Sequence, residues 1–177
     1  MARTSRKEQD EVWLRGPVPD IPDHLQPVAH ALLQVSEDLR QHTENFPDNL
    51  LWSHPAGRAS TGFHLQHITG VLDRMLTYAK ERPLSEAQFE YLKAEGLPNA
   101  KLTTEQLVDA FGEKVEEMLT YLKTLPASAL TEKRTVGRRE LPSTVIGLLF
   151  HAAEHAQRHF GQLLVTVSVI ETLEADR

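Results

Sequence analysis

The stretch Leu148-Leu149-Phe150-His151-Ala152-Ala153-Glu154-His155-Ala156-Gln157-Arg158-His159-Phe160-Gly161-Gln162 decides how this chain folds. Its apolar residues recur at helical spacing. The pattern starts at Pro142, a favoured first-turn residue, and runs through Val145, Leu149, Ala152, Ala156, Phe160, Leu163 and Val167 to about Leu173. His151, His155 and His159 follow one another at steps of four, each turned about 40° and raised about 6 Å from the last, so two adjacent ones can chelate one ion. His155 and His159 lie on the stripe of Leu148, Ala152 and Leu163, which turns them toward the core. A buried imidazole needs partners for both ring nitrogens. One metal serves several imidazoles at once, where hydrogen bonding requires a separate acceptor for each.

Three more long amphipathic segments surround this helix. Residues 23–46 place Leu25, Val28, Ala29, Leu32, Leu33 and Leu39 on one face, with Pro27 in the first turn and Pro47 as the stop. An irregular connection with Trp52, His54, Pro55 and Gly57 ends at Ser60 or Thr61, either able to cap a second helix that runs to about Glu81. That helix has the stripe His64, Ile68, Val71, Leu72, Met75, Leu76 and Ala79. Ser85 with Gln88 forms a capping box for a short extra helix ending at Gly96, and Thr103 with Gln106 repeats the box for a third long helix to about Leu125. The polar stretch 127–141 has room for a short extended piece around Thr135 and Val136. The pattern predicts an all-α protein: a four-helix bundle over 23–177, with a short extra helix between helices two and three. Residues 1–22, rich in proline, form an N-terminal surface arm pinned by Trp13 and Leu14.

The 177 residues suit one domain, and 40% hydrophobic with 25% charged residues is the balance of an ordinary globular protein. No apolar run approaches the roughly 20 residues of a membrane helix, and the basic start is not followed by the apolar stretch of a secretory signal, so a cytoplasmic location is expected. Without cysteine, thiolate metal sites and cysteine nucleophiles are excluded, leaving His, Asp and Glu for metal or acid–base chemistry. A net charge of -6 argues against a nucleic-acid partner; the basic cluster Arg134, Arg138 and Arg139 suits at most one anion.

A third imidazole has to come from helix two, where His64 lies nearer the stripe centre and His67 borders it; periodicity leaves both open. Three neutral imidazoles and no carboxylate leave at least one open position on Zn²⁺ or Ni²⁺, as a catalytic site requires. A competing pattern, His151-Ala-Ala-Glu154-His155, matches the inverted zincin motif with Glu154 as general base. It leaves His159 unused and belongs to larger α/β metallopeptidases. Di-iron bundles need Glu-x-x-His pairs, and Glu154 is followed three residues on by Gln157.

The run 148–162, with histidines four apart ahead of Gly161-Gln162, resembles the last-helix signature of the DinB-like (DinB/YfiT) metal-binding four-helix bundles. The segment Phe63-His64-Leu65-Gln66-His67-Ile68, ending in Asp73-Arg74, is similar to their second helix. The resemblance implies His67, His155 and His159 as metal ligands, with His151 at a position often histidine but not usually a ligand. Phe160 departs from the family, where many members have arginine before Gly-Gln. Members include thiol-dependent transferases and isomerases, proteins described as metal-dependent hydrolases, and many without known activity. The resemblance therefore implies a metal-dependent enzyme on a small molecule, with thiol S-transfer from a low-molecular-weight thiol ahead of hydrolysis. The alternative is a non-catalytic metal-binding or stress-response bundle. Arg74 and Arg158 stand close in sequence to the ligands and are expected to orient an anionic group, Glu154 to accept a proton, and the chain to form a homodimer.

Overall fold

The computed structural model describes residues 10–176. The long helices are α1 (Gln26–His42), α2 (Thr61–Ala79), α4 (Thr104–Leu122) and α5 (Val145–Ala175), with the short α3 (Glu86–Ala94) between α2 and α4. Local chemistry starts α2, α3 and α4 where the spacing predicts. Ser60 Oγ accepts from Phe63 N at 3.1 Å. The reciprocal capping boxes Ser85/Gln88 and Thr103/Gln106 are both closed, satisfying helix-end N–H groups that would otherwise lack partners.

α1 and α2 each pack against both α4 and α5, which places α1 and α2 on opposite corners of the bundle. The connection 43–60 therefore crosses one end. It is held by buried Phe46 and Leu51, and by the Gly62 N–H donating to Leu51 O at 2.8 Å. Gly62 has to be glycine because a Cβ there would lie 2.6 Å from the Trp52 ring, which fills that space. The central layer includes Leu25, Leu32, Leu39, Leu65, Leu72, Phe111, Met118, Leu122 and Leu149, all fully buried. Each such side chain contributes about 1.5–3 kcal/mol on removal from water.

Three details differ from the sequence expectation. Pro142 does not open the last helix. The extended piece around Thr135 is β1 (Lys133–Val136), paired antiparallel with β2 (Leu141–Thr144), with Pro142 opposite Thr135. In a two-stranded ladder both strands are edges, so a residue without an N–H is tolerated, and Thr144 instead caps α5 by accepting from Gly147 N at 3.1 Å. The first long helix is shorter than 23–46: Thr43 Oγ1 donates to Leu39 O at 2.7 Å and the chain reverses at Asn45, with φ of 67°. In the arm, Trp13 and Leu14 are exposed, at 60% and 55%; the anchors are buried Val12 and Ile21. Gln26 fastens the arm to α1 by accepting from Val18 N and donating to the carbonyls of Val18 and Ile21. Residues 1–9 of the expected arm lie outside the described residues.

The basic cluster is divided. Arg134 Nε donates to Ala79 O at 2.9 Å, at the end of α2, while Arg138 lies over the Phe89 ring. Among the described residues no helix is long and apolar enough to cross a membrane.

Candidate metal centre

Where α2 faces α5, His67 meets His155 and His159. One ring nitrogen of each lies within 4.8 Å of the others. The ring centroids are 4.7 Å apart for His67–His159, 5.0 Å for His67–His155 and 4.5 Å for His155–His159. All three are half-buried. Phe63, one turn before His67, stacks on its ring at 5.0 Å with planes 12° apart, forming an apolar wall.

The hydrogen bonds around the cluster place its protons. His67 Nδ1 is 2.6 Å from Glu95 Oε2, and a carboxylate oxygen accepts, so Nδ1 donates. Arg74 Nη1 donates to the other oxygen, Oε1, at 2.6 Å. His67 Nε2 is 3.0 Å from His155 Nε2. Arg158 Nη2 lies 2.8 Å from His155 Nδ1, and because a guanidinium only donates, Nδ1 accepts and His155 carries its proton on Nε2. The chain then runs in one direction, from Arg158 through His155 and His67 to Glu95. His64, fully inside, sets its Nδ1 3.1 Å from His159 Nδ1, leaving His159 Nε2 for the centre.

Burial is the main force on these rings. It holds His155 down to about 3, with the neighbouring His159, His67, His151 and Arg158 charges acting in the same direction. It lowers His159 to about 4, aided by His67 and Arg158, and His64 to about 4, aided by His159 and His67. At neutral pH these imidazoles carry no charge, the state in which imidazole binds a metal.

The other expected site residues divide. Arg158 and Glu154 stand at the open face, paired through Nε–Oε1 at 3.1 Å. Arg74 does not reach that face: its side chain is 10% exposed and the anionic group it orients is Glu95. His151 is exposed, 3.7 Å from Glu154, and with Glu154 and His155 makes a second group within 4.8 Å that competes for His155. Trp52 and His54 anchor the connection, Trp52 Nε1 donating to Asn99 O at 3.2 Å and His54 Nδ1 pairing with Arg58 O at 2.9 Å. Sequence reasoning missed Glu95. Its only local signal is its place before Gly96, the residue that marks the end of the short helix; its partner His67 lies 28 positions away.

A family model for the DinB superfamily matches residues 31–163, three quarters of the chain and all the residues of the cluster. The chain belongs to the DinB superfamily. Solved structures agree on this DinB fold. A conserved protein from Enterococcus faecalis superposes with a TM-score of 0.67 at 20% identity, covering 84% of this chain and 97% of its own. A protein from Streptococcus pneumoniae superposes with a TM-score of 0.60 at 14% identity, covering 82% and 88%. No curated protein matches this DinB chain.

Proposed function

We propose that His67, His155 and His159 hold one divalent transition metal, Zn²⁺ or Ni²⁺, and that the chain is a metal-dependent enzyme acting on a small molecule. Thiol S-transfer stands ahead of hydrolysis. The observation that carries the reading is the convergence of three imidazoles from two helices, in a setting that keeps His155 and His159 neutral. The donor set fits such an ion. His67 already turns an unprotonated Nε2 inward, and His159 does so when its Nδ1 donates to His64. His155 does so once its proton moves to Nδ1 and Arg158 turns away from that atom.

Three nitrogen donors, with no fourth ligand grouped with them among the described residues, favour a reactive over a purely structural centre. When bound, the metal polarises a substrate oxygen or lowers the pKa of a water or thiol toward neutrality. Arg158, half exposed beside His155, orients an anionic group of the substrate, and Glu154, released from that guanidinium, accepts the proton of the incoming nucleophile. Phe63 keeps water from one side of His67.

Elemental analysis of protein purified without an affinity tag tests the metal. About one Zn or Ni per chain is expected, and less than about a tenth, with thermal stability unmoved by either ion, counts against it. The loaded protein is then assayed with low-molecular-weight thiols and electrophilic acceptors, and with simple esters and amides. Turnover that disappears in His155→Ala supports the enzyme; metal uptake with uniform silence favours the non-catalytic binding role. The homodimer goes with this proposal, since Val165, Val169 and Leu173 leave an exposed apolar stripe on the last turns of α5. Equilibrium sedimentation checks it.

A further inference from the structure

We propose that Glu95 is the positioning residue of the cluster: its carboxylate fixes His67 with the proton on Nδ1 and so aims a bare Nε2 at the centre. The inference rests on the metal reading for its purpose but concerns protons that the metal-free chain already holds. Glu95 sits in the turn directly after α3, a helix with no buried residue of its own. The segment is thus not present to fill the core. Polar contacts dock it on α2: Gly96 N donates to Gln66 Oε1 at 2.8 Å, Tyr91 Oη to Gln66 O at 3.1 Å, and Gln88 Nε2 to Asp73 Oδ2 at 2.6 Å.

Yet this lightly held segment drives one carboxylate to 5% exposure. Burying it is costly unless both oxygens are paired, and they are: Arg74 Nη1 on Oε1 and His67 Nδ1 on Oε2, each at 2.6 Å. Gly70 makes the room. A Cβ there would collide with Glu95 Oε1 and lie 2.7 Å from Arg74 Nη1. Because the guanidinium can only donate and the carboxylate oxygen can only accept, His67 must be the donor in its contact. A neutral imidazole has one proton, so Nε2 is left with its lone pair, where His155 Nε2 meets it at 3.0 Å. Carboxylates placed behind ligating histidines set ring orientation and tautomer in this way.

Long-range ¹H–¹⁵N NMR on the metal-free chain reads the tautomer directly, and Co²⁺ titration followed by absorption reads the consequence. The wild-type His67 is expected with Nδ1 protonated and Nε2 bare. In Glu95→Gln, Arg74 claims the amide oxygen, which leaves the NH₂ facing Nδ1; the tautomer inverts, and Co²⁺ affinity falls about 10–100-fold. Glu95→Asp keeps a charge for Arg74, and hence the fold, but withdraws from His67 and loses the tautomer preference. Gln66→Ala loosens the docking of α3 without touching the partners of Glu95, and should leave tautomer and affinity unchanged. The proposal is overturned if His67 keeps its Nδ1 proton in both Glu95 variants, or if Gln66→Ala weakens Co²⁺ as much as Glu95→Gln. Failure of the metal reading looks different: wild type takes up no Co²⁺ while the tautomer contrast persists, and the assignment of Glu95 then stands alone.

Discussion

On the α1–α4 side of the bundle, Leu32, Val35, Leu39, Val108, Phe111 and Val115 are none of them more than 5% exposed, and no imidazole is among them. On the α2–α5 side, His64 is buried and His67, His155 and His159 are half-buried, with Arg74, Gln66 and Glu95 around them. The first side is held by non-directional burial, so its requirement is volume. The second needs a correctly oriented partner for each polar atom, and the four helices do not supply all of them. An additional segment brings in Glu95, and the helix turn of α5 brings Arg158 back onto His155.

The contrast breaks most sharply with Phe111→Ala, which should cost about 3–5 kcal/mol of unfolding free energy, measured by urea denaturation, while the folded fraction still takes up the same metal per chain. His159→Ala should do the reverse. It removes a proposed ligand, so metal affinity by calorimetry should fall roughly 100-fold or more, above the loss expected for a supporting carboxylate, while the metal-free chain loses less stability than in Phe111→Ala, about 1–3 kcal/mol for the partner taken from buried His64 Nδ1.

Acid separates the two sides without mutation. His64, His155 and His159 are lowered to about 4, 3 and 4, mainly by burial, so the metal-free fold prefers them neutral while the unfolded chain takes up protons near the ordinary value of 6.5. Their contribution to stability is therefore fully present above about pH 6.5 and drains away as pH falls toward 4 and 3. Denaturant midpoints followed across that window should decline, and the slope should be shallower in His155→Gln. The smallest expected effect has the opposite sign: Arg158→Ala removes the donor that holds His155 in the wrong tautomer and a cation beside the centre. Metal affinity should rise a few-fold, by an amount comparable to one charge-assisted hydrogen bond or less, while turnover of an anionic substrate drops.

Much of the helix layout was legible because it is written in local chemistry. Ser85/Gln88 and Thr103/Gln106 are three residues apart, and their boxes close through that spacing alone. His155 and His159 are likewise local to one helix. Choosing His67 over His64 took the family resemblance, since both lie close to one helix stripe; the structure shows why periodicity could not choose, with His64 fully buried against His159 rather than at the centre. Pro142 was misread because proline suits both a first helical turn and an edge strand, and only the pairing with Thr135 separates the two. Arg74 reads as a free cation beside a ligand until Glu95 appears.

From its sequence alone this chain determines four amphipathic helices, the caps of α2, α3 and α4, and a pair of imidazoles one turn apart on an inward face, because each depends on residues within a few positions of one another. Only the tertiary structure decides which atom of His67 and of His159 faces the centre. That choice is made by Glu95, Arg74 and His64 across 21 to 95 residues of chain, where a hydrogen bond's direction depends on which group, donor or acceptor, the fold brings within reach.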